Sequence, residues 1–428
     1  MTETVSTEKK EWSLLRKTIT LFVVFYFLLY MFPEPFTEIP GVTELLSVFT
    51  KPMEWLILWF GKTILGITTL EKIAQTGSGD TTFDYVRLLV IFIISLLATT
   101  IVLLVSKKKE FQSWFNLTWI YSRYYLGLFL IVYGVIKLFE GQFGPPYIGR
   151  LEQNYGDSSP MGLLWTFMGH SKAYTFFGGL MELIAGLLLL FRRTTIAGAL
   201  MAFGVMLNVA MMNYCYDVCV KLFSTHLVLL SILILSPHLK KLFQFIFQQK
   251  AVQLKIENLI FEKKWQRLTH KIFKIILLSL CAVMIIGMSI ENATEYEDKD
   301  YSKSFDGSYE IKTFIKNGDT IPLLETDTLR WAKIVIEQGV FGFRTTNKTK
   351  TRFSVKTDTI HKKITLTSFD DSTKVYKFDY NRLPEQRVIF KGKYELDTLE
   401  IITQQKKRNE YLLNSTSFKW INEYPFNR

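Results

Sequence analysis

Seven long apolar runs, all placed at or before Ile290, constrain this 428-residue chain more than any other feature. They are Thr18 to Phe32, Phe83 to Val105, Leu117 to Leu138, Tyr174 to Phe191, Thr194 to Met212, Leu222 to Ser236 and Ile272 to Ile290. A hydrocarbon core about 30 Å thick takes roughly twenty helical residues to cross, somewhat fewer where aromatic ends sit in the interface. The spacing therefore predicts an integral membrane α-helical bundle of about seven transmembrane helices.

Charge placement tests the count. A net charge of +12 could by itself suggest nucleic acid, but the Lys and Arg residues sit in short blocks between apolar runs, so no nucleic acid is expected as a partner. Lys107 to Lys109, Arg192 and Arg193, and Lys240 to Arg267 fall in alternate loops, while the loops between them carry Glu34, Glu54, Asp80, Glu140, Glu152 and Asp217. The first run follows Lys9, Lys10, Arg16 and Lys17 and has no small-residue cleavage site, so it reads as an anchor with a cytoplasmic N-terminus. Seven spans from that start place everything after Ile290 outside. Met53 to Ile67 is short and contains Lys62, which suits a helix lying in the outer interface. Residues 241–271 mix Phe, Ile and Leu with many Lys and Gln, as a basic amphipathic linker on the lipid surface or a solvated helix would.

From about Tyr301 the pattern becomes alternating: Thr351 to Ile360, Lys363 to Phe369, Lys374 to Tyr380 and Arg387 to Phe390, separated by turn signals such as Asn317-Gly318-Asp319 and Lys391-Gly392-Lys393. About eight short antiparallel strands in residues 300–428 predict a β barrel or sandwich, either filled by its own side chains or holding one small apolar ligand. Its aromatic tail, Phe418 to Arg428, is expected to pack back onto the barrel or the membrane surface.

Ionisable side chains within lipid cost about 2.5 to 3.5 kcal/mol each, so those retained usually face the bundle interior. Lys137, Glu182, Asn208 and His226 all fall in the outer half of their runs, and Asn213, Tyr214, Asp217 and Lys221 share a stripe if the helix continues past Met212. Convergence of Lys137 with Glu182 and of Asp217 with Lys221 would leave Asn208, Tyr214 and His226 to bind a polar head on an apolar body, beneath Glu140, Arg150 and His170. Glu182 and His226 are the candidate catalytic groups, since a carboxylate and an imidazole can exchange protons with quinone oxygens. The other reading is architectural: Glu182 lies between Gly178 and Gly186 on a close-packing stripe, where an ion pair with Lys137 would serve only the fold. Cys215 and Cys219 stand near the upper limit of disulfide reach on a regular helix, so pairing would need a distorted turn. No metal site, nucleotide loop or cluster-binding cysteine array is read from the sequence.

The run Arg123-Tyr124-Tyr125-Leu126-Gly127-Leu128-Phe129 with Gly134 and Lys137, followed by Glu182, Gly186 and Leu187 to Leu190 before Arg192, resembles the DoxX family of bacterial four-helix membrane proteins. Tyr147 to Phe223, with Ser158 to Trp165 and Tyr216 to Phe223, looks like a longer subgroup. The resemblance covers about residues 115 to 240. It implies a DoxX-like four-helix core in the bacterial inner membrane, a quinone as ligand and a part in a quinone-linked oxidoreductase. To that core this chain adds a two-span region over residues 1–114, the linker 241–271, a seventh span at 272–290 and an extracytoplasmic, periplasmic or extracellular β domain at 300–428. Expected partners are membrane lipids and a redox or envelope protein. The alternative is a noncatalytic membrane assembly or lipid-handling protein whose β domain binds a partner.

Overall fold

The computed structural model describes residues 11–34, 42–72, 77–253, 305–324, 327, 330–347, 349–415, 420–421 and 423–424, together with separate helical positions between 264 and 290. The helices are α1 (Leu14–Met31), α2 (Val42–Trp59, continued by a π-helical turn Phe60–Ile64), α3 (Thr82–Val105), α4 (Gln112–Leu138), α5 (Ile148–Leu151), α6 (Pro160–His170), α7 (Lys172–Leu190), α8 (Thr195–Cys215), α9 (Lys221–Leu235) and α10 (Leu239–Gln248). The strands are β1 (Gly307–Lys316), β2 (Asp319–Thr320), β3 (Trp331–Glu337), β4 (Val340–Thr345), β5 (Lys350–Asp358), β6 (Lys363–Ser368), β7 (Val375–Leu383), β8 (Arg387–Tyr394) and β9 (Asp397–Lys406). Two compact units result, one from residues 1–142 and 173–289, the other from 143–172 and 290–428.

In the helical unit, six helices among the described residues are long and apolar enough to cross a membrane: α1, α3, α4, α7, α8 and α9. They coincide with the first six apolar runs. The seventh run is described at most of its positions, all of them helical, and Leu278, Ile285 and Met288 pack on the cluster of Tyr124, Ile131, Val135 and Leu190. The helix read at Met53 to Ile67 starts earlier, at Val42, contains Pro52, and is not among the six. Its Ile57 packs with Phe83, Val86 and Val90 of α3.

Helix α3 illustrates why these sequences suit lipid. Thr81 and Asp84 close a capping box at its start, satisfying two backbone donors that hydrocarbon could not. Ser95 and Thr99 return their hydroxyls to the carbonyls of Ile91 and Ser95 at 2.7 Å, while Leu96, Leu97, Ile101 and Leu104 are exposed. That is the inverse of a water-soluble helix. Helices α4 and α7 approach through glycine. A Cβ on Gly134 would lie 2.7 Å from the Leu183 nitrogen, and one on Gly186 would lie 2.7 Å from the Gly127 oxygen. The stripe expected through Gly178 runs instead through Gly179, because Gly178 faces open space.

The second unit is built on an up-and-down barrel. Strands β1 and β3 to β9 pair antiparallel in sequence order, and β1 closes against β9, giving eight staves with β2 as a short extension of β1. Closure removes the free edges of the sheet. Inward residues alternate along each strand, and the interior is filled by side chains including Tyr309, Phe341, Phe343, Phe378, Phe390 and Trp331. Trp331 stacks on Phe343 with ring centroids 3.8 Å apart, and the Tyr309 hydroxyl donates to the Phe305 carbonyl at 2.6 Å. The Asn317-Gly318 turn, with both φ angles positive, joins β1 to β2 as its residue types demand.

Residues 143–172, read from sequence as part of the membrane core, pack with the barrel instead. Glu152 accepts from Lys333 of β3 and from the Tyr411 hydroxyl, and Glu337 accepts from the Ile148 amide at 2.6 Å. Arg408 donates to the carbonyls of Pro145 and Pro146. Burial pushes the Glu152 carboxyl up, but hydrogen bonds from Lys333 and Tyr411 outweigh it and hold the group below the ordinary range. Burial raises Glu337 despite the Ile148 amide and Arg408. At the chain end, Trp420 and Tyr424 are exposed, and residues 416–419, 422 and 425–428 lie outside the described set.

Candidate functional site

The eight residues singled out from sequence do not form one pocket. Lys137 and Glu182 meet, as expected: both are buried, and the Lys137 ammonium donates to Glu182 Oε1 across the close-packed α4–α7 contact. Glu182 Oε2 and Asn213 Nδ2 are buried with no hydrogen-bond partner among the described residues. Asn208 is exposed on the outer face of α8, so it cannot contribute to an interior site. The expected stripe through Asn213, Tyr214, Asp217 and Lys221 is broken, because Asp217 adopts a left-handed conformation (φ 52°) and ends the helix. A short-chain Asp tolerates that conformation, and the turn lets the Val218 amide bond back to the Asn213 carbonyl at 2.9 Å. Lys221 and Asp217 do pair, at 2.7 Å, but Asp217 is solvent-facing, and Tyr214 is also exposed, touching Thr225 at 3.1 Å. Arg150 and His170 belong to the barrel unit. Cys215 and Cys219 are free thiols, the second donating to the Gly77 carbonyl, and Cys281 lies outside the described residues.

His226 is held from a side that the sequence did not reveal. Its Nδ1 lies 2.7 Å from the Leu222 carbonyl, which can only accept, so Nδ1 carries the proton. Nε2 then accepts from the Tyr26 hydroxyl at 2.8 Å. Tyr30, one turn along α1, stacks flat on the imidazole with centroids 3.8 Å apart.

Tyr30 also lines a cavity of about 270 Å³ between α1, α3, α4 and α9. Its polar lining comes from Tyr30, Glu34, Asp84, Arg87, Tyr125 and Tyr133, and its apolar lining includes Leu88, Phe129 and Phe223. Arg87 donates to the Tyr30 carbonyl at 3.4 Å. Lys137 stands one turn beyond Tyr133 on α4, so the buried pair lies near this cavity without entering its lining. The wall next to α9 is fixed by residues 77–80: Asp80 accepts from the Lys221 and Leu222 amides at 2.7 and 2.9 Å, and the Gly79 amide donates to the Cys219 carbonyl at 2.8 Å. Asp80 thereby caps α9 from a distant loop.

Arg87, Tyr30, Tyr125 and Tyr133 are cavity residues that sequence reasoning did not place in the site. Arg87 carried the available signal, an arginine four residues inside the most apolar run of the chain. Arginine at such a position faces protein or water far more often than lipid. Among the described residues no group of three or more His, Cys, Asp and Glu is placed to hold a metal ion.

The chain is 34% identical over 130 residues to the uncharacterized protein YwoB of Bacillus subtilis (strain 168), a match that spans 30% of this chain and 82% of that protein. No protein-family profile and no solved structure matches it.

Proposed function

The chain belongs to the family of YwoB; we propose, from the geometry of its helical unit, that this unit is a DoxX-like receptor for the polar head of a lipid-soluble molecule of the quinone type. The observation that carries the reading is the tyrosine- and arginine-lined cavity beside the stacked His226. A quinone head is a flat ring with two carbonyl acceptors. Arg87 and the hydroxyls of Tyr30, Tyr125 and Tyr133 supply donors, Phe129 and Phe223 supply ring contacts, and the surrounding spans accommodate an apolar tail. Glu34 and Asp84 at the cavity wall, with His226 behind Tyr30, are the groups suited to exchange protons with quinol oxygens, in keeping with a membrane redox role.

In this reading the protein resides in a bacterial inner membrane with its N-terminus in the cytoplasm. The lysine-rich loops are taken to face the cytoplasm, which puts the chain after Ile290 on the outer side. A barrel filled with its own side chains works through its outer surface, which suits recruitment of a redox or envelope protein partner. That same observation favours the second reading, a noncatalytic assembly or lipid-handling protein.

Mass spectrometry of lipid extracts from gently purified protein tests the proposal. About one quinone per chain is expected, reduced at least tenfold in Arg87→Gln with the protein still folded. A quinone-free extract, with no binding of added menaquinone or ubiquinone by wild type, would overturn it and favour the assembly reading.

A further inference from the structure

A second cleft lies at the opposite end of α4. Arg123 stands fourteen residues before Lys137, about 21 Å along the helix axis. With Tyr124, Phe191, Arg192, Arg193 and Lys274 it lines an opening of about 300 Å³ at the turn between α7 and α8. Four of those side chains are cations, and no carboxylate is among the described residues of the lining. The like charges act against one another: Arg192 on Arg123, and both on Lys274.

Arg123 makes this more than a basic surface. It is fully buried, its guanidinium lies over the rings of Tyr124 and Trp119 at 4.6 and 5.7 Å, and its Nε and Nη2 have no hydrogen-bond partner among the described residues. A buried guanidinium with two unmet donors, facing three more cations, calls for an anion with paired oxygens. Phosphate matches that fork in geometry and charge.

The surroundings say where the phosphate comes from. Trp119 Nε1 donates to the Ile234 carbonyl at 2.9 Å, which ties this end of α4 to the end of α9 from which α10 departs. Helix α10 exposes Phe243, Phe245, Ile246 and Phe247 beside Lys240 and Lys241, and Phe191 of the cleft is itself exposed. Exposed aromatic and aliphatic groups interleaved with lysine mark the level of lipid headgroups. We propose that the Arg123 cleft is a binding site for the phosphate headgroup of an anionic lipid, a site separate from the tyrosine-lined cavity.

Native mass spectrometry of the full-length protein, offered phosphatidylglycerol or phosphatidylcholine with identical acyl chains, tests this. One phosphatidylglycerol should be retained at least tenfold more strongly than phosphatidylcholine. Arg192→Gln/Arg193→Gln/Lys274→Gln, all at the cleft mouth, should weaken retention at least tenfold with an unchanged thermal midpoint. Arg123→Lys, which keeps the charge and loses the fork, should weaken it too. Equal retention of the two lipids, or no effect of the triple substitution in folded protein, would overturn the site. Inorganic phosphate that binds as tightly as the lipid would overturn the lipid assignment.

Discussion

Each unit of the molecule contains a glutamate–lysine pair, buried among the helices and half-buried in the barrel unit, and the two are completed differently. In the barrel unit both oxygens of Glu152 are engaged, one by Lys333 and one by the Tyr411 hydroxyl. Among the helices, Glu182 meets Lys137 through Oε1, while Oε2 has no hydrogen-bond partner among the described residues. The barrel pair joins a peripheral segment to a finished hydrophobic core. The helical pair sits inside a glycine-mediated contact where backbones touch and few polar groups can reach. The lesson is that one chemical pairing can latch a half-exposed segment in one setting and lie within close helix packing in the other.

Removing one member of each pair sharpens that contrast. Glu182→Leu leaves Lys137 buried and uncompensated, and should destabilise the helical unit by about 3 to 5 kcal/mol, read as a lowered thermal midpoint in detergent and poor membrane recovery. A stable Glu182→Leu protein would erase the distinction between the pairs. Glu152→Gln should cost about 2 kcal/mol, the worth of charge-assisted hydrogen bonds, and should release residues 143–172 from the barrel to protease before the barrel itself unfolds.

Acid probes the same latch. Glu152 titrates below its unfolded value, so its contribution is complete above the ordinary glutamate pKa of about 4.3 and is lost as pH falls through its lower folded value. Glu337, raised by burial, runs the other way: it favours the folded state most when protonated, at low pH, and that gain is lost as pH rises through its folded value. Net loosening of residues 143–172 is therefore expected as pH falls below the ordinary glutamate range, measured by hydrogen exchange. In Glu152→Gln the low-pH loss should vanish. The smallest effect belongs to Asn208→Leu, which replaces an exposed polar group on α8 and should change neither thermal midpoint nor ligand retention.

The sequence read the spans more successfully than the site. Hydropathy over some twenty residues is a sum that neighbours cannot overturn, so α1, α3, α4, α7, α8 and α9 follow it closely. Site membership depends on rotation about each helix axis. Asn208 and Glu182 have comparable depth by residue count, yet one faces outward and the other inward. Likewise His226 was legible as a buried polar group, but its partners Tyr26 and Tyr30 come from α1, some two hundred residues away.

By itself the sequence determined the membrane-embedded class of the first part, the barrel-forming pattern of the second and the meeting of Lys137 with Glu182, because periodicity, length and the high cost of lone charges in lipid are local or additive. Only the tertiary structure decided that residues 143–172 join the barrel, that Asp80 caps α9, and that Arg87 and three tyrosines share a cavity. Those outcomes hinge on which distant backbone groups and helix faces come within hydrogen-bond reach, and no local pattern encodes that distance.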